Sequence, residues 1–204
     1  MTRKNIDLQN PKFFIMVEEI KKLEQKLEKN IDAENGNPLI NLEKLYKHME
    51  KIVAIAKPFT PCVKKCPECC KIDVSLSEWE IHLIEKYLIK NKIKTITKIK
   101  ENITTIFENE MKGNFLGYQC GGKECPFLID ERCIIYKVRP YFCREYMVLE
   151  DNNKKCGYND NFAIQLSQFI KRDIYFNIIT QNNNNPVYNN KISFEIRDCF
   201  SKAI

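Results

Sequence analysis

The chain has 204 residues, 44% of them hydrophobic, with 33 Lys plus Arg against 27 Asp plus Glu for a net charge of +6. That length suits one domain with appendages, the apolar fraction excludes a disordered chain, and a modest charge of mixed sign gives no nucleic-acid footprint. No apolar stretch of about 18 residues is present to cross a membrane, and the run at 13–17 is too short for a secretion signal and is followed by Glu18 and Glu19. A reducing cytoplasm is therefore the expected location, and there clustered thiols read as metal ligands before disulfides.

In chain order, Asn10 and Pro11 read as a cap followed by proline at the first helical position, and Phe13, Val17, Ile20, Leu23 and Leu27 then line one helix face. After the turn-like Asn35-Gly36-Asn37-Pro38, the residues Leu39, Leu42, Leu45, Met49, Ile52 and Val53 repeat that period until Pro58 stops it. The two helices are expected to pair antiparallel as an N-terminal hairpin over 1–58. A cysteine-rich core is expected over 59–150. Within it a helix is expected to begin at Ser75 or Ser77, Ser75 followed by Glu78 fits a capping box, and Ile81, Ile84 and Leu88 form the inward stripe.

The stretch 95–111 carries Ile96, Ile99, Ile103, Ile106 and Phe107 at helical spacing and closes at Gly113. The run Lys90, Lys92, Lys94, Lys98 and Lys100 reads as a solvated face, since no aromatics interleave with it. From 125 to 136 the pattern becomes strand, polar turn and second strand, a small hairpin with cysteines near its ends. The C-terminal unit, 151–204, is expected to hold a helix over 162–179, a loop at the Asn182–Asn185 run and a weakly alternating tail. All three units are expected to form one folded body.

Eight of the ten cysteines fall in two groups, Cys62, Cys66, Cys69 and Cys70, then Cys120, Cys125, Cys133 and Cys143. Thiolates at such intervals suit a thiophilic ion or an iron–sulfur cluster, because the ligands must converge on one centre at about 2–2.5 Å. Pro61 and Pro67 restrict the first loop, and the adjacent side chains of Cys69 and Cys70 tend to diverge, so a division of roles between them is expected. The second group is too open to close a site locally and is expected to meet the first in space. Eight thiolates would repel one another unless a metal and nearby cations hold them ionised. Lys64, Lys65, Lys71, Lys123, Arg139 and Arg144 stand beside them, and Arg139 and Arg144 can donate hydrogen bonds to sulfur from outside the ligand set.

These motifs, in this order, resemble the YkgJ-type cysteine-cluster proteins. The residues that carry the resemblance are Cys62-x3-Cys66-x2-Cys69-Cys70, a helix opening at 75–80, Cys125-Pro126-Phe127-Leu128, Cys133-Ile134-Ile135-Tyr136 and Arg139-Pro140-Tyr141-Phe142-Cys143-Arg144. The resemblance covers about 61–146 and implies a zinc- or iron-chelating domain with its metal at the eight cysteines and no defined reaction. Flagellin lysine methylases carry a similar cluster within a longer chain, but nothing here reads as a site for a methyl donor. The C-x3-C-x2-C spacing is also that of radical S-adenosylmethionine enzymes. Those enzymes need a long series of alternating strands and helices after the motif, which this chain lacks, and Glu68 stands where an aromatic residue is usual.

The expected fold is mainly α, a helical domain with a small irregular, hairpin-containing cysteine-rich region. The expected cofactor is an iron–sulfur cluster, favoured over zinc by the compact first loop, and the expected role is structural or the presentation of a surface to a protein partner. The alternative is a redox or protein-modifying enzyme that uses the centre chemically. His48 and His82 read as surface or core histidines, and Cys156 and Cys199 as small buried hydrophobes, with Cys156 the nearer spare ligand.

Overall fold

A computed structural model describes residues 10–30, 37–62, 66–71, 74–98, 124–149, 164–171, 175, 178 and 194–202. The protein is mainly helical, with short strands. Helix α1 (Pro11–Asn30) begins where the Asn10 side-chain oxygen accepts from the Lys12 amide at 3.0 Å, and Pro11 occupies a position whose N–H would otherwise be orphaned. Helix α2 (Pro38–Ala56) uses the same device, Asn37 accepting from the amides of Leu39 and Ile40.

The two helices bury Phe13, Met16, Ile20 and Leu27 against Leu42, Leu45, Met49 and Ile52 in a first core. Each such side chain contributes about 1.5–3 kcal/mol by leaving water. The buried stripe on α1 is rotated slightly from the one read in the sequence. Met16 lies at its centre, and Val17 and Leu23 flank it half-buried. Phe13, near the start of α1, meets Phe59, just past the end of α2, edge-on at 5.7 Å, as antiparallel pairing requires.

A second core lies under helix α3 (Glu78–Lys90), whose Ile81, Ile84 and Leu88 pack on Val74, Leu76, Phe127, Ile135, Ile196 and Phe200. The capping box is real but sits two residues later than Ser75 and Glu78. The Ser77 hydroxyl accepts from the Glu80 amide at 3.3 Å, and the Glu80 carboxylate accepts from the Ser77 amide at 2.9 Å. Ser75 instead begins β1 (Ser75–Leu76), which pairs antiparallel with β5 (Phe194–Glu195).

Two helical expectations give way to pairing. Residues Ile96–Lys98 form strand β2, antiparallel to β6 (Phe200–Lys202), rather than the start of a helix. The isoleucine period there was local, and a partner strand about a hundred residues away overrides it. The rest of that segment, with Gly113, lies outside the described residues. At the C-terminal side, Gln165 bridges to Val148 and the chain turns in a short 3-10 segment at Leu166–Gln168 where the helix over 162–179 was expected to be under way, whereas Tyr175 and Ile178, further along that span, are helical. The Leu166 amide donates to the Met147 carbonyl at 2.9 Å, so this backbone is held by a neighbouring extended segment. Buried Glu24 on α1 accepts from the Lys171 amide at 2.7 Å and from the Tyr175 hydroxyl at 3.0 Å, tying this segment to the first core.

The hairpin expected over 125–136 is present but short. Strands β3 (Leu128–Ile129) and β4 (Arg132–Cys133) are joined by Asp130 and Glu131, with φ of 48° and 57°. That left-handed pair is the turn whose twist matches a hairpin. A 3-10 turn (Tyr136–Val138) and the short helix α4 (Tyr141–Glu145) follow. Among the described residues no helix is long and apolar enough to cross a membrane.

Candidate metal centre

The first cysteine group is shaped by its own backbone. The Cys62 amide donates to the Thr60 hydroxyl at 3.1 Å, and Cys69 and Cys70 lie on a 3-10 turn (Glu68–Lys71) closed by the Cys70 amide on the Pro67 carbonyl at 2.9 Å. A 3-10 turn rotates successive side chains by about 120°, so neighbours leave it in different directions. The second group is stitched to this turn directly. The Cys125 amide donates to the Cys70 carbonyl at 2.8 Å, and Arg197, itself paired with Glu195, donates to the same carbonyl at 3.1 Å. Cys133 stands on β4 opposite Leu128, and Cys143 rides on α4.

One carboxylate fixes α4 relative to α3. Glu80, fully buried, accepts at Oε1 from the Tyr141 amide at 2.7 Å and from the Tyr46 hydroxyl at 2.9 Å, in addition to its capping bond. Burial pushes its carboxyl above the usual range against those three donors. The Ser-x-x-Glu spacing marks Glu80 as a capping residue in the sequence. Its reach to Tyr141, 61 residues on, has no local signal.

The thiols of both groups meet. Cys70 is in hydrogen-bond contact with Cys69, Cys125 and Cys133, while Cys69 and Cys66 each feel the charge of Cys62, and Cys143 feels Cys69 and Cys70. The hydrogen bond from Cys125 leads in pulling the Cys70 thiol down, with Cys69 adding to it, because bonds donated to a thiolate stabilise it. Cys69 and Cys125 are pushed up, first by that contact with Cys70 and then by burial. Burial also raises Cys143 and Cys66. Cys70 is drawn down even though its bond with Cys133 raises it. Among the described residues no three His, Cys, Asp or Glu side chains close on a point that could hold a metal ion.

The donor set fits a thiophilic metal. Several buried thiolates repel one another, and a metal cation is the group that relieves both their charge and their desolvation. Seven of the eight expected cysteines are described and adjacent in this way. Cys120, along with Cys156, Lys64, Lys65 and Lys123, lies outside the described residues. Lys71 faces solvent and pairs with Glu68 at 3.0 Å.

The two arginines expected beside sulfur differ. Arg144 is 1% exposed and donates through Nε to the Arg139 carbonyl at 2.9 Å, through Nη2 to the Lys137 carbonyl at 2.9 Å and through Nη1 to Glu50 at 2.7 Å, with its guanidinium 4.1 Å above the Tyr46 ring. Those bonds go to oxygen and brace the loop before Cys143. Arg139 is also buried, with its guanidinium 3.8 Å above the Tyr136 ring, and its charge pulls on the thiols of Cys69 and Cys143.

Of the remaining candidates, His82 is exposed beside Glu78 and Glu85. His48 is buried in the first core 6.3 Å from the Tyr175 ring, and burial lowers its pKa to about 4. Cys199 is fully buried in the second core.

Comparison with known proteins adds one match. A family model described as CxxCxxCC, putative zinc- or iron-chelating domain, matches residues 61–163, a span of half the chain that contains both cysteine groups. No curated protein and no solved structure matches.

Proposed function

The chain belongs to the CxxCxxCC family of zinc- or iron-chelating domains, and on that footing we propose that its clustered cysteines hold a metal centre whose role is structural. The ligands are Cys62, Cys66, Cys69, Cys70, Cys125, Cys133 and Cys143, together with Cys120. The observation that carries this reading is the position of Cys70 between the two groups, its carbonyl receiving the Cys125 amide at 2.8 Å and Arg197 at 3.1 Å. A metal there cross-links chain segments that are far apart in sequence and stabilises the fold by the free energy of binding.

Cys69 and Cys70 serve different sets. The thiols of Cys69 and Cys70 share a hydrogen bond and Cys143 feels both, while Cys62 acts on Cys69 and Cys125 and Cys133 bond to Cys70, so the division requires the two thiols to part when metal binds. Of the two metals the family allows, the compact Cys62-x3-Cys66-x2-Cys69 loop suits an iron–sulfur cluster better than the paired knuckles of a zinc ribbon. When bound, such a centre supplies a rigid cross-link and, if iron–sulfur, a site for one electron.

Anaerobically purified protein is expected to be brown and to contain iron and acid-labile sulfide. Colourless protein with stoichiometric zinc would replace the cluster by zinc and leave chelation standing. Protein that binds neither metal through these thiols would sink the reading altogether.

A further inference from the structure

The short helix α4 carries Cys143, and its N-cap residue is Pro140, whose ring has no acceptor to offer the first amides of the helix. The acceptor comes from another element. Glu80 on α3, fully buried, takes the Tyr141 amide on Oε1 at 2.7 Å and the Tyr46 hydroxyl of α2 on the same oxygen at 2.9 Å, while its Oε2 takes the Ser77 amide at 2.9 Å. One carboxylate thus caps two helices, its own and the one that bears Cys143. The other neighbour of Cys143 is held as well, because Arg144 donates to the Arg139 and Lys137 carbonyls at 2.9 Å each and to Glu50 on α2 at 2.7 Å.

We infer that Glu80 is a positioning residue for Cys143, an acceptor that sets where this sulfur stands before any metal arrives. This rests on the metal reading above. Tyr141 lies two residues before Cys143 on a helix of five residues, too short to keep its direction by its own hydrogen bonds. The Tyr141 amide is therefore the point at which α3 fixes α4. Without that bond the helix is free to pivot, and ordering Cys143 costs conformational entropy at the moment of metal binding. The charge of Glu80 cannot supply the gain, since a carboxylate repels thiolates. What supports the metal is the place of its oxygen.

The test uses the full chain, reduced and anaerobic, with Zn2+ alone as the probe in competition with a chromophoric chelator, and melting temperature measured without metal. Glu80→Ala removes the acceptor and is expected to weaken Zn2+ binding about 10-fold, the low end for losing a group that orients a metal ligand. Cys143→Ser keeps the other cysteines, so uptake stays measurable. Glu80→Ala added to it is expected to change the affinity by less than about threefold, because a residue that acts through Cys143 then has nothing left to position. Glu80→Gln keeps one oxygen for the Tyr141 amide and the Tyr46 hydroxyl, and is expected to recover most of the affinity. Ser77→Ala removes the hydroxyl that caps α3 but leaves the Tyr141 bond. It is expected to lower the melting temperature and leave Zn2+ affinity unchanged.

Unchanged Zn2+ affinity in E80A overturns the inference while leaving the metal reading intact. So does an equal loss from E80A with and without Cys143, because Glu80 then acts on the fold at large. So does an E80Q no better than E80A, or an S77A that weakens Zn2+ binding as much as E80A does. If E80A does not fold, Glu80→Asp, whose carboxylate is drawn back by one methylene, takes its place in the same cycle with the same expectations. Failure of both to fold overturns the inference, since the whole protein then needs Glu80. Wild type that takes up neither Zn2+ nor Fe2+ overturns the metal reading, and this inference with it.

Discussion

Cys70 is the residue on which the cysteine groups converge, and its neighbour Cys69 on the same 3-10 turn shares a hydrogen bond with it. Side chains of adjacent residues on such a turn leave it about 120° apart, so with metal bound the two sulfurs are expected to serve different centres. The division of roles therefore predicts additivity. Cys69→Ser and Cys70→Ser are each expected to lose part of the bound metal, and the double variant to lose the sum of the two, as independent sites do. Metal per protein, measured on all three variants, decides it. If the double variant holds no less metal than either single one, the two sulfurs serve a single centre and the division is wrong. Glu80 acts at this scale by another route. Its contact with the Tyr141 amide holds the helix that carries Cys143, so a change there moves a sulfur without touching it.

Among the elements, the β3–β4 hairpin is the one the sequence specifies least well for its geometry. Its two turn residues both occupy the left-handed region, and neither is glycine. Asp130 tolerates that conformation better than Glu131, whose Cβ crowds the backbone at a cost of about 1 kcal/mol. Glu131 is exposed, so its replacement removes no buried contact. Glu131→Gly is expected to raise stability by about 0.5–1 kcal/mol in chemical denaturation at constant metal loading. A loss of stability would mean that Glu131 contributes something the turn geometry does not account for.

The same contrast between local and distant causes explains what could be read in advance. The caps at Asn10 and Asn37 and the periods of α1 and α2 are written within a few residues, and the structure follows them. Strand β2 depends on Phe200–Lys202 and was misread as helix, because nothing near Ile96 announces that partner. At the site, cysteine spacing marked the thiols to compare, but adjacency suggested that Cys69 and Cys70 diverge, whereas their thiols share a hydrogen bond. The Arg197 contact with the Cys70 carbonyl and the Glu50 pairing of Arg144 span 127 and 94 residues, and no spacing rule reaches that far.

On the scale of the whole molecule the cysteines are unevenly shared between the two cores. Among the described residues, Cys70, Cys125 and Cys199 belong to the second core, with Cys69, Cys133 and Cys143 packed against it, whereas Cys62 packs on the first. The first core has α1 and α2 with their long apolar stripes and can hold together without a metal. Among the described residues the second has only α3 as a long helix, and its other members lie on two- and three-residue strands, turns and the four-residue helix Ile196–Cys199, with Cys125 and Arg197 bonded to the carbonyl of Cys70. Metal removal is therefore expected to act locally. With the metal chelated, amide exchange at Cys125, Ile134 and Ile196, which donate to Cys70, Phe127 and Val74, is expected to speed up by about tenfold or more. Amides of α2 between Leu45 and Ile52 are expected to change by less than about threefold. Glu80 and Arg144 are the links that could spread the effect, since they join the site to Tyr46 and Glu50 on α2. Equal acceleration in α2 would show that those links make the two cores one cooperative unit, and no change at Cys125 would show that the metal does not hold the second core together.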